Sequence, residues 1–281
     1  MRHWTDFLSI YREQTAFHAA TWVHNKCILF DKYLENHGLS AAVVSVSGGV
    51  DSAVTLALLK HTAELPNSHL KKIIALSQPI HSSAWALERA TELCKGLDIP
   101  LIVIDQSDLH NQLVGVFASA MCKNKYTFAQ GQLRSYMRTP VNYYAAQIST
   151  GEGYPAVVMG TGNKDEDGYL AYFCKYGDGA VDVQLISDLH KSQVFQVGAF
   201  LQVPPSILNA APSADLWDGQ TDEAEMGFSY DFIEFYTGAF PSLSADDQSR
   251  LREDPEFAKY EGLCTAIHKR NAHKLAGVVN L

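Results

Sequence analysis

The 281-residue chain predicts an α/β fold: a doubly wound parallel sheet, preceded by helices and followed by a part made of helices and loops. Three observations carry this reading. Short runs of small, β-branched and aliphatic residues at 41–46, 71–77, 101–105 and 156–160 alternate with segments of helical periodicity, as a right-handedly crossed parallel sheet requires. The first run ends in Ser47-Gly48-Gly49-Val50-Asp51-Ser52, a tight turn that opens a helix. The fourth ends in a second glycine-rich turn, Gly160-Thr161-Gly162, and parallel sheets build sites at their carboxyl ends.

In chain order, residues 1–40 read as a helical extension, with Phe7, Leu8, Tyr11, Trp22, Val23, Ile28, Leu29 and Tyr33 spaced for one or two amphipathic helices. The nucleotide-binding core is assigned to 41–203. It begins with the first strand, a helix to about residue 62 and a turn at 66–68, followed by strands at Lys71–Ser77 and Leu101–Asp105 around a helix carrying Leu87, Ala90, Cys94 and Leu97. Residues 106–150 read as helices around a loop near 122–131. Arg134 and Arg138 fall four apart on one helix face there, a spacing that by itself suits a solvated surface.

After the strand from Ala156, charges bunch at its carboxyl end in Asn163-Lys164-Asp165-Glu166-Asp167. Lys175 and Asp178 flank a glycine turn, Val181 to Ile186 reads as a strand, and Lys191 opens a helix. A lysine in a first turn opposes the helix dipole unless an anion sits beside it. Residues 204–281 are assigned to a substrate loop and helical tail: Pro204-Pro205 stops the helix, and 212–225 reads as an ordered loop because of Leu216 and Trp217. His268, Lys269, Arg270 and Lys274 form a basic end, either a loose charged tail or a binding element.

Composition narrows the function. With 47% hydrophobic residues the chain can bury a substantial core. A net charge of -9 argues against a nucleic-acid surface. The cysteines, Cys27, Cys94, Cys122, Cys174 and Cys264, have no C-x-x-C spacing, so a zinc or redox pair is not expected and reduced thiols are. Charged residues interrupt the first thirty positions and no apolar run reaches membrane-spanning length. A cytoplasmic enzyme with no membrane contact is the expectation.

The turn at Ser47–Ser52 is an anion cradle: glycines let the backbone come close, and free N–H groups and the helix dipole favour phosphate. It lacks the Gly-Lys-Ser/Thr end of the common P-loop and the spaced glycines of a dinucleotide fold. It carries Asp51 instead, and a carboxylate beside phosphates implies a cation between them, Mg²⁺. Ser-Gly-Gly-x-Asp-Ser is similar to the pyrophosphatase-type loop of ATP-dependent adenylating enzymes.

From about residue 40 to about residue 274 the chain resembles the ammonia-dependent NAD synthetases. Beyond the loop, the resemblance rests on Gly160-Thr-Gly-Asn-Lys-x-Glu166, Phe173-Cys-Lys-Tyr-Gly-Asp-Gly179 with Asp182, Leu189-His-Lys191-Ser-Gln193, Pro212 to Glu223, Gly227-Phe-Ser-Tyr230 and His268-Lys-Arg270. It implies a Rossmann-like fold of the adenine nucleotide alpha hydrolase type. It also implies that Ser45, Val46, Ser47, Gly48, Gly49, Val50, Asp51, Ser52, Thr161, Lys191 and Ser213 bind ATP, with Asp51, Glu166 and Ser213 near magnesium. Asp51, Lys175, Asp178 and Lys191 would be catalytic, and Arg138, Lys175, Asp178, Asp182, His268 and Lys269 would bind the nicotinate substrate. The family implies a homodimer, with the N-terminal helices and the basic tail as elements of assembly.

The implied reaction converts deamido-NAD, ATP and ammonia into NAD, AMP and pyrophosphate. The substrate carboxylate attacks the α-phosphorus, and ammonia then attacks the mixed anhydride. Asp178 is the residue expected to take the ammonium proton. No cysteine sits in a nucleophile setting and the length leaves no room for a glutaminase, so free ammonia is the expected donor. Three departures from the family bear on the substrate: Tyr136 at the first arginine position of the helix motif, Ser77-Gln-Pro79-Ile-His, and an extra residue around Asp167-Gly168. Rival readings are the same chemistry on nicotinate mononucleotide, a catalytically silent nucleotide-binding regulator, and an adenylating ligase acting on RNA.

Overall fold

The sheet is formed by β1 (Ala41–Ser45), β2 (Lys72–Ser77), β3 (Leu101–Val103), β4 (Ala156–Gly160) and β5 (Val183–Gln184), in the order β3-β2-β1-β4-β5 and parallel throughout. A computed structural model describes residues 3–121, 126–213 and 221–280. The chain runs outward from β1 to β3 and then returns to the other side of β1 with β4. The strand order therefore reverses between β1 and β4, which is where open α/β sheets place ligands.

Alternation along β1 explains the two layers. Ala42 and Val44 join a core with α2 (Ala19–His37), α3 (Val50–Ala63), α4 (Ala84–Gly96) and α7 (Lys191–Phe200). Val43 points the other way, to Ile74, Val158 and Ala146 of α6 (Thr127–Gly151), and α5 (Ser107–Ala120) packs on α6. Helix α3 lies between the sheet, α2 and α7, with Leu56, Leu58 and Leu59 fully buried. Truncating any one of these leucines would cost about 2–5 kcal/mol. That rigidity fixes the start of α3 relative to β1.

The two N-terminal helices separate. α2 belongs to the α/β core, whereas α1 (Trp4–Thr15) supplies Trp4 and Leu8 to a second, aromatic core with Phe228, Phe232, Phe235, Phe240 and Phe257. This core joins the C-terminal helices α9 (Asp222–Met226), α10 (Tyr230–Glu234), α11 (Ala245–Arg252) and α12 (Pro255–Asn271). α8 (Pro205–Leu208) packs on the α/β core through Ile207, against α3 and α7.

Several expectations need correction. The strand expected over 181–186 is only Val183–Gln184: the Asp182 carboxylate accepts the Val158 N–H at 2.8 Å, doing with a side chain what a strand carbonyl would do. The strand after residue 100 stops at Val103, and α6 starts at Thr127, so the loop before it is shorter than 122–131. His268 to Arg270 are not a loose end but the last turn of α12. Of the expected ordered loop at 212–225, residues 214–220, including Leu216 and Trp217, lie outside the described residues.

The segment around Asp167-Gly168, where an extra residue is expected, departs from α-helical geometry. Lys164–Leu170 is a π-helix, whose i to i+5 bonds hold one residue more per turn than an α-helix. Glu166 lies within this wider turn.

Candidate active site

A cleft of about 1230 Å³ opens at the carboxyl ends of β1, β2 and β4. Its floor is the turn into α3. Gly48 holds φ +83, and a Cβ there would come 2.5 Å from the Ala86 carbonyl oxygen, so only glycine fits between the loop and α4. Ser52 Oγ accepts from Ser47 N at 3.2 Å and donates to Gly49 O at 3.0 Å, which locks the loop. Ser47, Gly49, Val50, Asp51 and Ser52 line the cleft, with Ser45 and Val46 below them. Ser45 is also held: its hydroxyl donates to Asn142 and accepts from Gln78.

Lys191 enters this floor from α7. Its Nζ donates to Asp51 Oδ2 at 2.6 Å and to Glu166 Oε1 at 2.7 Å, with 3% of the side chain exposed. Burial opposes its charge, but Asp51 and then Glu166 outweigh burial and raise the ammonium pKa well above the ordinary lysine range. Burial raises the Asp51 carboxyl against the pull of Lys191, and Glu166 adds to the rise. For Glu166 burial is overcome by Lys191 and Tyr230, which hold it below its usual range. Asn163 joins the parts: its Nδ2 donates to Asp51 Oδ1 at 2.9 Å, while its Oδ1 accepts the Asp165 and Glu166 amides.

The N-terminus of α7 is not the open anion seat that a first-turn lysine suggested. Asp165 Oδ2 accepts the Lys191 amide at 2.8 Å, so the anion that offsets the misplaced lysine is the chain's own carboxylate. The ammonium points away from the dipole and toward the cleft.

Sequence reasoning passed over several residues here. The Tyr230 hydroxyl lies 2.6 Å from Glu166 Oε1 and 2.9 Å from Asp222 Oδ2, and one phenolic proton can serve only one of them. Burial and then Glu166 push the Asp222 carboxyl up to about 6, so Asp222 carries a second proton only below that pH. Tyr230 and Asp222 stood in quoted motifs, but nothing in their spacing told that they would meet Glu166. Asp165 and His190 were visible only as neighbours of Glu166 and Lys191.

On the substrate side, Arg138, Thr161, Lys175, Asp178 and Ser213 line the same cleft. Arg138 Nε donates to Gln78 O at 3.3 Å, so it is anchored to the altered 77–81 segment and is not merely a solvated charge. Asp178 Oδ1 accepts from Ser135 Oγ at 2.7 Å and Cys174 N at 3.1 Å. A Cβ on Gly177 would overlap Ser135, which requires the glycine there. Lys175 Nζ turns to the His273 and Gly277 carbonyls at 3.5 and 3.2 Å. Tyr136 lines the cleft at the position where an arginine was expected.

Three expected substrate residues are not brought to the cleft. Asp182 is used between β4 and Tyr143. His268 stacks on Tyr169, its Nδ1 2.6 Å from the Tyr169 carbonyl oxygen, and Lys269 is not among the described lining residues. Arg270 and Lys274 line the cleft in their place.

Comparison with known proteins agrees with this geometry. The family model described as NAD synthase matches residues 22–276. An NH(3)-dependent NAD(+) synthetase of Methanococcoides burtonii is 36% identical over 221 residues, 78% of this chain and 78% of that protein. One of Syntrophomonas wolfei is 36% identical over 243 residues, 85% of this chain and 88% of that protein. The solved structure of NMN synthetase from Francisella tularensis aligns with a TM-score of 0.78 at 30% identity, covering 94% of this chain and 99% of that one. A glycine loop at the start of α3, a lysine delivered to it from a distant helix and a match along most of its length together make this chain a member of the NAD synthase family.

Proposed function

We propose that this chain amidates deamido-NAD to NAD with ATP and ammonia, releasing AMP and pyrophosphate. The observation that carries the reading is Lys191 Nζ held between Asp51 and Glu166 at the mouth of the Ser47–Ser52 loop. NAD synthetases from two organisms, each 36% identical to this chain, support the same activity.

The chemistry follows from charge. A carboxylate is a poor acyl donor because its leaving group would be oxide. One of its oxygens therefore attacks the α-phosphorus of ATP, the bond to the bridging oxygen breaks, and pyrophosphate leaves with that electron pair. The start of α3 holds the phosphates through backbone N–H groups, and Lys191 offsets the charge that builds on pyrophosphate. Ammonia nitrogen then attacks the acyl carbon of the mixed anhydride, the C–O bond to AMP breaks, and the nitrogen loses a proton. We assign that proton to Asp178: Oδ1 holds the turn, and Oδ2 makes no hydrogen bond among the described residues.

Magnesium fits the donor set. Asp51 and Glu166 are hard oxygen ligands, and among the described residues no group of three or more His, Cys, Asp or Glu could hold a metal. Two carboxylates suit an ion that keeps waters and phosphate oxygens in its shell, and Ser213 lines the cleft beside them. When bound, Mg²⁺ neutralises phosphate charge.

We infer a homodimer. Val116, Phe117, Met121 and Phe128 of the α5–α6 region and Ile102 and Val103 on edge strand β3 are exposed. A second copy would cover such residues, as it would the exposed Ile28 and Leu29 of α2, while the aromatic residues of the N-terminal helices are largely engaged in the two cores. No helix among the described residues is long and apolar enough to cross a membrane, and Cys27, Cys94, Cys174 and Cys264 are free and buried. The free thiols fit a reducing, cytoplasmic environment.

A second reading, amidation of nicotinate mononucleotide, is favoured by the 30% identity and 0.78 TM-score to the NMN synthetase structure, together with Tyr136 in the cleft. Product analysis decides: the enzyme is given ATP, ammonium and Mg²⁺ with each acid in turn. Conversion of deamido-NAD with AMP release supports the first reading. Conversion of the mononucleotide alone replaces it with the second, and no AMP from either acid overturns both.

A further inference from the structure

We propose that Asp165 and His190, a fully buried pair behind the cleft, are positioning residues that fix Glu166 and Lys191 against each other for the adenylation step. The inference rests on the proposed function. It starts from sequence adjacency: Asp165 precedes Glu166 and His190 precedes Lys191. The two functional side chains come from separate segments, a π-helix after β4 and the first turn of α7, so something must hold those segments in register.

The pair does this with both ends of one carboxylate. Asp165 Oδ1 is 2.7 Å from His190 Nδ1 and Oδ2 accepts the Lys191 amide at 2.8 Å, while Asp165 is 0% and His190 1% exposed. The Lys164 amide donates to Leu189 O at 2.9 Å, which adds a backbone tie beside the pair. Lys164 Nζ lies 3.1 Å from His190 Nε2, and an ammonium has only protons to offer there, so Nε2 is the acceptor and Nδ1 carries the hydrogen. The tautomer is therefore set from outside and the imidazole donates to Asp165. Tyr11 of α1 closes the far side, its ring perpendicular to His190 with centroids 6.3 Å apart.

The result is a three-membered line, Lys164 to His190 to Asp165, ending on the backbone N–H of the residue that reaches the phosphates. Asp165 touches neither Asp51 nor Lys191 Nζ by its side chain, so it acts through Lys191. Loosening such an outer contact costs about ten- to a hundred-fold in activity. Position matters most where pyrophosphate leaves, because Lys191 neutralises charge there and has no part in ammonia attack.

The test separates the two steps. Single-turnover quenching without ammonia measures formation of the acyl adenylate, and a chase with ammonium measures its consumption. Asp165→Asn keeps only one acceptor oxygen, so it cannot accept from both His190 Nδ1 and the Lys191 amide, and His190→Ala removes the imidazole. Both are expected to slow adenylate formation about ten- to a hundred-fold and to leave the ammonia step within about two-fold. His190→Asn, whose amide can still donate to Asp165, is expected to recover most of the rate. Melting curves are recorded for all three, and if His190→Ala does not fold the comparison of His190→Asn with Asp165→Asn carries the result. Wild-type adenylate formation in the Asp165 variant, or equal slowing of both steps, overturns the positioning role. Absence of adenylate in the wild-type enzyme instead overturns the proposed function.

Discussion

Lys191 Nζ lies 2.6 Å from Asp51 Oδ2 although 140 positions separate the two residues. Each is the other's main compensation for burial. Removing the ammonium leaves Asp51 and Glu166 facing each other with little water, and a broken buried pair costs about 3–5 kcal/mol. Lys191→Met is therefore expected to melt well below the wild type at pH 7.5, with part of the loss recovered at pH 5 as one carboxylate takes a proton. It is also expected to lower ATP-to-AMP turnover about a hundred-fold or more, the scale of losing one transition-state charge partner. An enzyme that keeps full turnover would remove Lys191 from the phosphate site.

A second expectation concerns the loop. Gly48→Ala forces a side chain into φ +83 and against the Ala86 carbonyl oxygen at 2.5 Å, and that oxygen belongs to backbone that cannot rotate away. The cost is about 1–3 kcal/mol of strain, with α4 displaced from the loop. The KM for ATP should rise and the thermal midpoint fall. The neighbouring Gly49→Ala meets only the Ser47 side chain at 3.4 Å and is the milder control.

Much of this site could be read before any coordinates. The cradle was legible because strand, glycines and helix are consecutive, so local chemistry sufficed. Lys191 was legible through the cost of a first-turn lysine without an anion beside it, and the anion at the α7 terminus is Asp165, which nothing in the spacing singled out. Asp222 and Tyr230 converge on Glu166 only through the aromatic core that packs α10 onto the π-helix, and no periodicity encodes that contact. His268 and Lys269 were assigned by motif, and the stacking of His268 on Tyr169 is a tertiary event of the same kind.

The pH dependence of stability has a definite sign. Asp167 is pushed up to about 8, first by burial and then by the charges of Glu166 and Asp178. A group whose pKa is higher folded than unfolded takes up protons on folding. Its stabilisation is complete below about pH 4, the unfolded carboxyl value, and is lost as pH rises through about 8. Asp167→Asn keeps the shape and an oxygen for Gln184 Nε2, which donates to Asp167 at 2.7 Å, but carries no charge. Melting curves of the variant and the wild type should coincide near pH 3.5 and diverge progressively from about pH 4 up to pH 8.5, with the asparagine form the more stable. Parallel curves would place the charge elsewhere.

The basic segment at the end of α12 and just beyond it reaches the cleft through hydrogen bonds to backbone carbonyls. Lys274 Nζ donates to Ala171 O at 3.1 Å and Phe173 O at 2.8 Å, and Asn271 Nδ2 donates to Leu170 O at 3.2 Å. These carbonyls belong to the exit of the π-helix, where Ala171 holds φ +48 and the chain turns toward Lys175 and Asp178. Lys274 is thus a clasp on the segment that carries Lys175 and Asp178, while Asp51, Glu166 and Lys191 are tied together through Asn163 and Asp165. Hydrogen bonds from a charged donor are worth about 1.5–3 kcal/mol each, so Lys274→Met should raise the KM for the nicotinate substrate by about ten-fold or more. The KM for ATP, read in the same assay, should stay within about two-fold. If both constants rise together, the clasp holds the whole cleft and the two sides are not independent.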